Sequence, residues 1–358
     1  MKMLCQAGIF TTLAIVFLHP PLSTVPDDGY KLIKSYALKG AGGWDSITLD
    51  PSARRLYLSH TAQVHVVDAD RGSLVGDIGN LQVAHGTVLI KELDRGFISD
   101  GGADKVVIFS LQTLRAIGEV KTGGNPDCII YDPSSRHIFT FNGRTHDSTV
   151  INPAEGTVLA TIPMGGRPEF AVADGKGTIY VNIRDTNEVA ALDSRTLLIK
   201  SRWPIAPAAM PTAITMDEEH RLLFIGGRNK VFAIMDADSG KIIQTFPIDS
   251  GVDTNIYDPI RNLVFSSDRE GTIHIFHEDS PSNFSVVETV TTQPGAHTMA
   301  LDPKTTDLFL DTADFDRGTV PESGGKTPVP NVFDHPAGGF HSMGVVRPGT
   351  FRLLVYGR

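Results

Sequence analysis

Cysteine is nearly absent: the 358 residues contain two, Cys5 and Cys128. Cys5 lies in an N-terminal segment that reads as an export signal. The remaining chain then has one thiol and no internal disulfide, so its fold must be held by its core. Cys128 precedes Ile129 and Ile130 and reads as a buried strand residue, with no neighbouring base to activate it. An excess of positive charge is also lacking. Lys and Arg number 32 against 41 Asp and Glu, a formal net charge of −9, which removes any general attraction to nucleic acid or anionic lipid. Beyond the N-terminal segment, no apolar run approaches the ~20 residues of a membrane helix. Nucleophile elbow, Walker A loop, dinucleotide fingerprint and C-x-x-C-H haem attachment are all missing.

Glycine (35) and proline (22) are plentiful, as a chain of many tight turns requires. The first residues have the order of an export signal. Lys2 gives a positive start, an apolar stretch runs from Ala7 to Leu18, and Pro20 and Pro21 precede small residues at Ser23 and Thr24. The expectation is a signal peptide over residues 1–26 and a periplasmic or extracellular mature protein. An uncleaved anchor is the alternative, because no clean A-x-A site is present. Cys5 precedes the apolar run and is not placed as a lipoprotein cysteine.

One phrase then recurs: a polar residue, an apolar pair, Asp (often Asp-Pro), a turn and a β-rich run. It appears at Asp45–Pro51, Asp127–Pro133, Thr212–Asp217, Asp253–Pro259 and His297–Pro303, with degenerate copies from His85 to Phe97 and from Glu169 to Tyr180. The repeated aspartates are placed at 50, 94, 132, 174, 217, 258 and 302, so the separations run from 38 to 44 residues. A period near forty built of strands predicts a β-propeller. Alternating third strands ending in Asp follow, such as Val64–Asp68, Val189–Asp193 and Val231–Asp236. The seventh unit ends on a third strand, Thr350–Tyr356, and its missing fourth strand is supplied by Tyr30–Leu38, which closes the ring. The reading is therefore all-β: one seven-bladed propeller over residues 27–358, expected to be a monomer.

These Asp-Pro turns and third strands resemble the YncE-like, YVTN-repeat propellers of bacteria. Three stretches resemble a secreted subgroup of that family: Tyr131–Asp147, Pro168–Gly177 and Thr298–Lys304. The resemblance covers nearly the whole mature chain and implies an exported binding-type propeller. Some relatives are associated with single-stranded DNA, but no basic groove is evident here, and no family active site is carried across.

Counting back twelve residues from the second-strand aromatic of each unit (one fewer in the fourth) gives a ring of equivalent positions at the channel mouth. These are Asp45, His85, Asp127, Glu169, Thr212, Asp253 and His297. Polar strand starts also cap turns, which is the plain explanation of such a ring. The sharper expectation is a polar-ligand or cation site. Asp127, Glu169, His85 and His297 are the candidate ligands of a divalent metal, the one cofactor the ring suggests. Loops on the same face add Asn142, Arg144, His146, Arg184, Arg228 and Arg269, whose guanidiniums suit an anionic group. A Gly/Pro-rich insertion at about 314–347, with His335 and His341, is expected to lie over this pocket.

Asp236-Ala-Asp-Ser-Gly240 has the start of a calcium loop but no distal Glu, so it reads as an outer hairpin turn. His274 and His277 face opposite sides of a strand and cannot chelate together. The functional expectation is an exported binding or scaffold protein for a small polar ligand or a protein. The alternatives are a metal-assisted hydrolase or lactonase using the same channel, and a protein-interaction module with a purely structural channel.

Overall fold

The computed structural model describes residues 29–40, 42–316 and 344–358. The segment read as an export signal, and His335 and His341 of the expected insertion, lie outside the described residues. Among those described are seven four-stranded antiparallel sheets and one short two-stranded pair. Each sheet is a blade, and the chain runs through it from the innermost strand outward. Blade 1, for example, orders Trp44–Asp50, Arg55–His60, Gln63–Asp68 and Leu74–Ile78. Innermost strands of successive blades lie against one another, and Met299–Leu301 meets Trp44–Asp50 to close the circle.

The closing blade has the order Lys31–Ala37, Arg352–Gly357, Leu308–Thr312, Met299–Leu301. The first described strand thus covers the edge of the last, in antiparallel register from Lys31↔Gly357 to Ala37↔Arg352. Closure removes the unpaired edge that an open ring would present.

The periodic residues explain the packing. One second-strand aromatic per blade, namely Tyr57, Phe97, Phe139, Tyr180, Phe224, Phe265 and Phe309, is almost entirely buried. Neighbouring blades clamp these rings. Phe224 meets Tyr257 of the next blade at 5.3 Å between centroids, and Phe232 stacks on Phe276 at 4.5 Å. Truncating one such ring to Ala costs roughly 3–5 kcal/mol. Cys128 is packing as well: it is buried, and burial pushes its thiol up to about 12.

The recurring aspartates cap turns. Asp50 accepts the amides of Ser52 and Ala53, both at 3.0 Å, and Asp132 accepts those of Ser134 and Ser135. The second unit departs from the expected phase. Ile90 ends its innermost strand where the others have Asp, and a 3₁₀ turn at Lys91–Leu93 follows. Asp94 instead has φ 51°, the left-handed turn position held by Arg54 and Arg136 in blades 1 and 3. Asp236 accepts the amides of Asp238 and Ser239 and is an outer hairpin turn. No helix among the described residues is long and apolar enough to cross a membrane.

Candidate functional site

Six of the seven expected ring residues are the second residue of the innermost strand, as in Trp44–Asp50 or Pro126–Asp132, rather than the first. The register slips at this point in every one of those six strands. A bulge unpairs the residue and re-aims its side chain. His297 precedes the short strand Met299–Leu301.

The bulge leaves main-chain carbonyls that need donors. The preceding blade supplies several of them. Ser99 donates to the carbonyl of Asp127 at 3.3 Å, Asn182 to that of Thr212 at 3.0 Å and Ser267 to that of His297 at 2.6 Å. Ser59 donates likewise to His85, and Thr298 to Asp45. The ring is therefore held by blade-to-blade hydrogen bonds.

Two chemically different arcs result. In blades 1–3, His85 Nδ1 is hydrogen-bonded to Asp45 Oδ2 and lies 3.3 Å from Asp127 Oδ1. Burial pulls the imidazole down, but Asp127 and Asp45 outweigh it and hold the group up to about 9. Burial pushes the Asp127 carboxyl up. The three side chains offer donor atoms within 4.8 Å of one another.

Blades 4–6 carry guanidiniums. Arg184 donates to Glu169 Oε1 at 2.8 Å and Arg167 lies 3.3 Å from the same oxygen. Arg228 donates to Thr212 Oγ1 at 3.0 Å and lies 3.9 Å from Asp253 Oδ1. Arg269 donates to Asp253 Oδ2 at 3.0 Å. Burial and Asp127 raise Glu169 despite the arginines beside it. Burial also opposes charge on Asp253, yet Arg269 and Arg228 hold that carboxyl below its ordinary range. His297, 3.9 Å from Asp253, is driven down to about 3 by burial and by Arg269. It is a neutral imidazole at pH 7.

Three loop residues stand apart from the ring. Arg144 turns outward to an exposed pair with Asp104. His146 is exposed at a left-handed turn position. Asn142 is fully buried and donates to Asp147 at 2.6 Å and Thr149 at 2.9 Å, which fixes its own blade. Of the four residues expected to share a metal, His85 and Asp127 come together, joined by Asp45. Glu169 is taken up by arginines, and His297 faces Asp253.

Two residues were not anticipated. Arg167 comes from the connection before blade 4, and its sequence signal is its place two residues ahead of the ring position. Asp311 lies on the second strand of blade 7, at the position where four of the other blades place the donors Ser59, Ser99, Asn182 and Ser267. It is fully buried. Its Oδ1 accepts from Thr298 at 3.2 Å, while its Oδ2 accepts no hydrogen bond. Burial raises its carboxyl well above the ordinary range. The proton is then bound more tightly in the folded state, so the contribution to stability is full at low pH and is lost as pH rises. Asp311→Asn is expected to melt higher than the wild type at pH 7.5, with the difference closing toward pH 4. A lower melting temperature at pH 7.5 would contradict the buried neutral acid.

The base of the insertion is on this same face. Phe315 pairs with Val346 across the two-stranded pair and packs against Trp44, 5.9 Å between centroids, next to Asp45. Residues 317–343 lie outside the described residues.

No protein-family model and no curated protein matches the sequence. Solved structures do. Hydrazine synthase of Kuenenia stuttgartiensis aligns with 76% of this chain and 94% of its own, at TM-score 0.67 and 14% identity. A chain of a mitotic checkpoint complex aligns with 84% of this chain and 95% of its own, at TM-score 0.66 and 15% identity. At such identities the likeness is one of fold. The class is a seven-bladed β-propeller, a frame that does not by itself fix a function.

Proposed function

We propose that this propeller is an exported, YncE-like binding protein whose ligand is a small polar anion, a carboxylate or phosphate, seated at the channel mouth. The observation that supports it is the charge imbalance of the arc in blades 4–6. Four guanidiniums, those of Arg167, Arg184, Arg228 and Arg269, meet two carboxylates, Glu169 and Asp253, beside a neutral His297. Arg228 is desolvated enough that burial lowers its pKa. Guanidiniums clustered in this way are suited to an oxyanion, which two of them can grip in a forked geometry. The facing arc, Asp45–His85–Asp127, would meet a hydroxyl or amine on the other end of the same ligand.

The test is calorimetric titration of the purified chain with inorganic phosphate, sulfate and succinate. At least one is expected to bind, and Arg167→Gln or Arg228→Gln to weaken it tenfold or more, the usual worth of a charge-assisted bond. Binding by none of them, or equal binding by both variants, would remove the reading.

A second reading has its own observation. The three converging donors of Asp45, His85 and Asp127 could hold a divalent ion and serve metal-assisted hydrolysis. About one equivalent of metal, lost in Asp127→Asn, would favour it.

A further inference from the structure

A second cluster lies away from the channel mouth, at the turn ends of the strands between blades 5 and 6. Three of the equivalent junctions share a device. The capping aspartate at the end of one innermost strand receives a cation from the following blade. Asp174 receives Arg221 at 3.1 Å, Asp302 receives Arg54 at 2.6 Å, and Asp50 receives Lys91 at 2.6 Å. Arg54 and Arg221 occupy the same left-handed turn position, with φ 55° and 59°.

In blade 6 that position is Asn262, φ 53°. The arginine that would reach Asp217 is missing. A second change accompanies it. The residue whose amide bonds back to this turn carbonyl is Ala69 in blade 1 and Ala237 in blade 5, but Glu278 in blade 6. One cation is lost and one carboxylate gained, both at the same junction.

Asp217 and Glu278 are each 3% exposed, so two buried carboxylates face one imidazole. His220 Nδ1 lies 2.6 Å from Asp217 Oδ2 and 2.9 Å from Glu278 Oε1. One N–H serves one oxygen. Its hydrogen bond goes to Asp217, and Glu278 Oε1 accepts none although buried. Tyr257 Oη donates at 2.9 Å to the other oxygen, Oε2, and so aims Oε1 at the cluster. Asp217 is pinned by the amides of Glu219 and His220. Glu278 Oε1 is thus ion-paired with His220 without a well-aligned hydrogen bond, and it is directed at the point where the two other donors meet.

We propose that this junction is a divalent-metal site. Asp217 Oδ2, His220 Nδ1 and Glu278 Oε1 supply three donors to one ion of the zinc class, which ties blade 5 to blade 6 where other junctions use Arg or Lys. Two carboxylates and an imidazole are an ordinary donor set for such an ion. Tetrahedral ligands ~2.0–2.1 Å from zinc stand about 3.3 Å apart. The donors must therefore open by roughly half an ångström, which His220 can provide, since its side chain is 39% exposed on a turn. That open side leaves a coordination position for water. A further cluster, Asp249, Asp268 and His274, makes a poorer case. Asp268 is already filled by the amides of Glu270, Gly271 and Thr272 and by the Thr272 hydroxyl.

The test is Zn²⁺ titration of the chelator-treated full chain by calorimetry, with melting followed in parallel. Wild type is expected to bind zinc at micromolar concentration or tighter, and to melt a few degrees higher with zinc about 100-fold above Kd. Glu278→Gln and His220→Ala should each bind one equivalent fewer and lose that rise, while Asp127→Asn, which alters the channel cluster, keeps it. His220 is exposed, so its variant retains the fold even if Glu278→Gln does not, and metal-free melting checks both. No zinc binding by wild type, or an unchanged equivalent in His220→Ala, overturns the site.

Discussion

A chain beginning at Lys39 is expected to lose most of its stability and to aggregate. The closing strand Lys31–Ala37 is itself largely exposed, so its hold comes from its two ends and its ladder. Tyr30 is buried against Phe265 at 5.5 Å, edge to face, and its hydroxyl donates to the carbonyl of Thr306 at 3.1 Å. Its amide donates to Glu288 of blade 6 at 3.2 Å. Leu38 is buried among blade 1 and blade 7 residues, and its amide donates to the carbonyl of Phe351 at 2.8 Å. The two side chains contribute about 5 kcal/mol by burial, against the 5–15 kcal/mol that separates folded from unfolded domains. Without the strand, Arg352–Gly357 also becomes an open edge. The measurement is thermal melting and soluble yield of the truncated chain, followed by addition of a synthetic peptide of residues 29–39. Restoration by the peptide is the expected result. A truncated chain that melts within a few degrees of the intact one would contradict closure by this strand.

The second large effect is a loss of stability in mild alkali that depends on His85. Its folded pKa of about 9 lies above the ordinary 6.5. A raised imidazole means that the folded state binds the proton more tightly. The contribution is therefore complete below pH 6.5 and is lost as pH rises through 9. The shift corresponds to about 3 kcal/mol, or ~4 °C in a chain of this size. His85→Gln has no proton to lose between those limits. It is expected to melt lower than the wild type at pH 6 and to converge with it above pH 9.5. Parallel profiles for the two proteins across that range would mean that His85 is not held charged by Asp45 and Asp127.

How far the sequence could be read is clearest at the ring. Each ring residue lies twelve positions before the second-strand aromatic of its unit (eleven in the fourth), and six of the seven found by that count share one position, the second residue of an innermost strand. The error at Asp94 came from the same habit. An aspartate stood near the expected place, but Asp94 occupies the left-handed turn position held by Arg54 in blade 1, and Ile90 stands where other units have Asp. An approximate period does not detect that the one nearby aspartate belongs to a different position of the turn. The loop arginines show another limit. Arg144 and Arg184 follow comparable strands, yet one pairs outward with Asp104 and the other inward with Glu169. Arg144 stands two residues after its strand and Arg184 one after its own, so Gly143 is the true counterpart of Arg184, and a shift of one residue sends the side chain to a different partner.

The sequence by itself determined the number of blades, the closing strand, the buried aromatic of each blade and the repeated positions at the starts of the innermost strands. All of these follow from a repeated local pattern, because each blade must bury its faces against the next. Only the tertiary structure decided the charges. It divided the ring into a His85-centred acidic arc and an arginine arc, and it brought Asp217, His220 and Glu278 together from two blades. The arginine contacts and the His220–Glu278 contact join residues whose separation bears no relation to the repeat, whereas His85 stands 40 residues from Asp45, one repeat away. A proton or an ion is held by the distances between side chains in space, which a one-dimensional pattern does not contain.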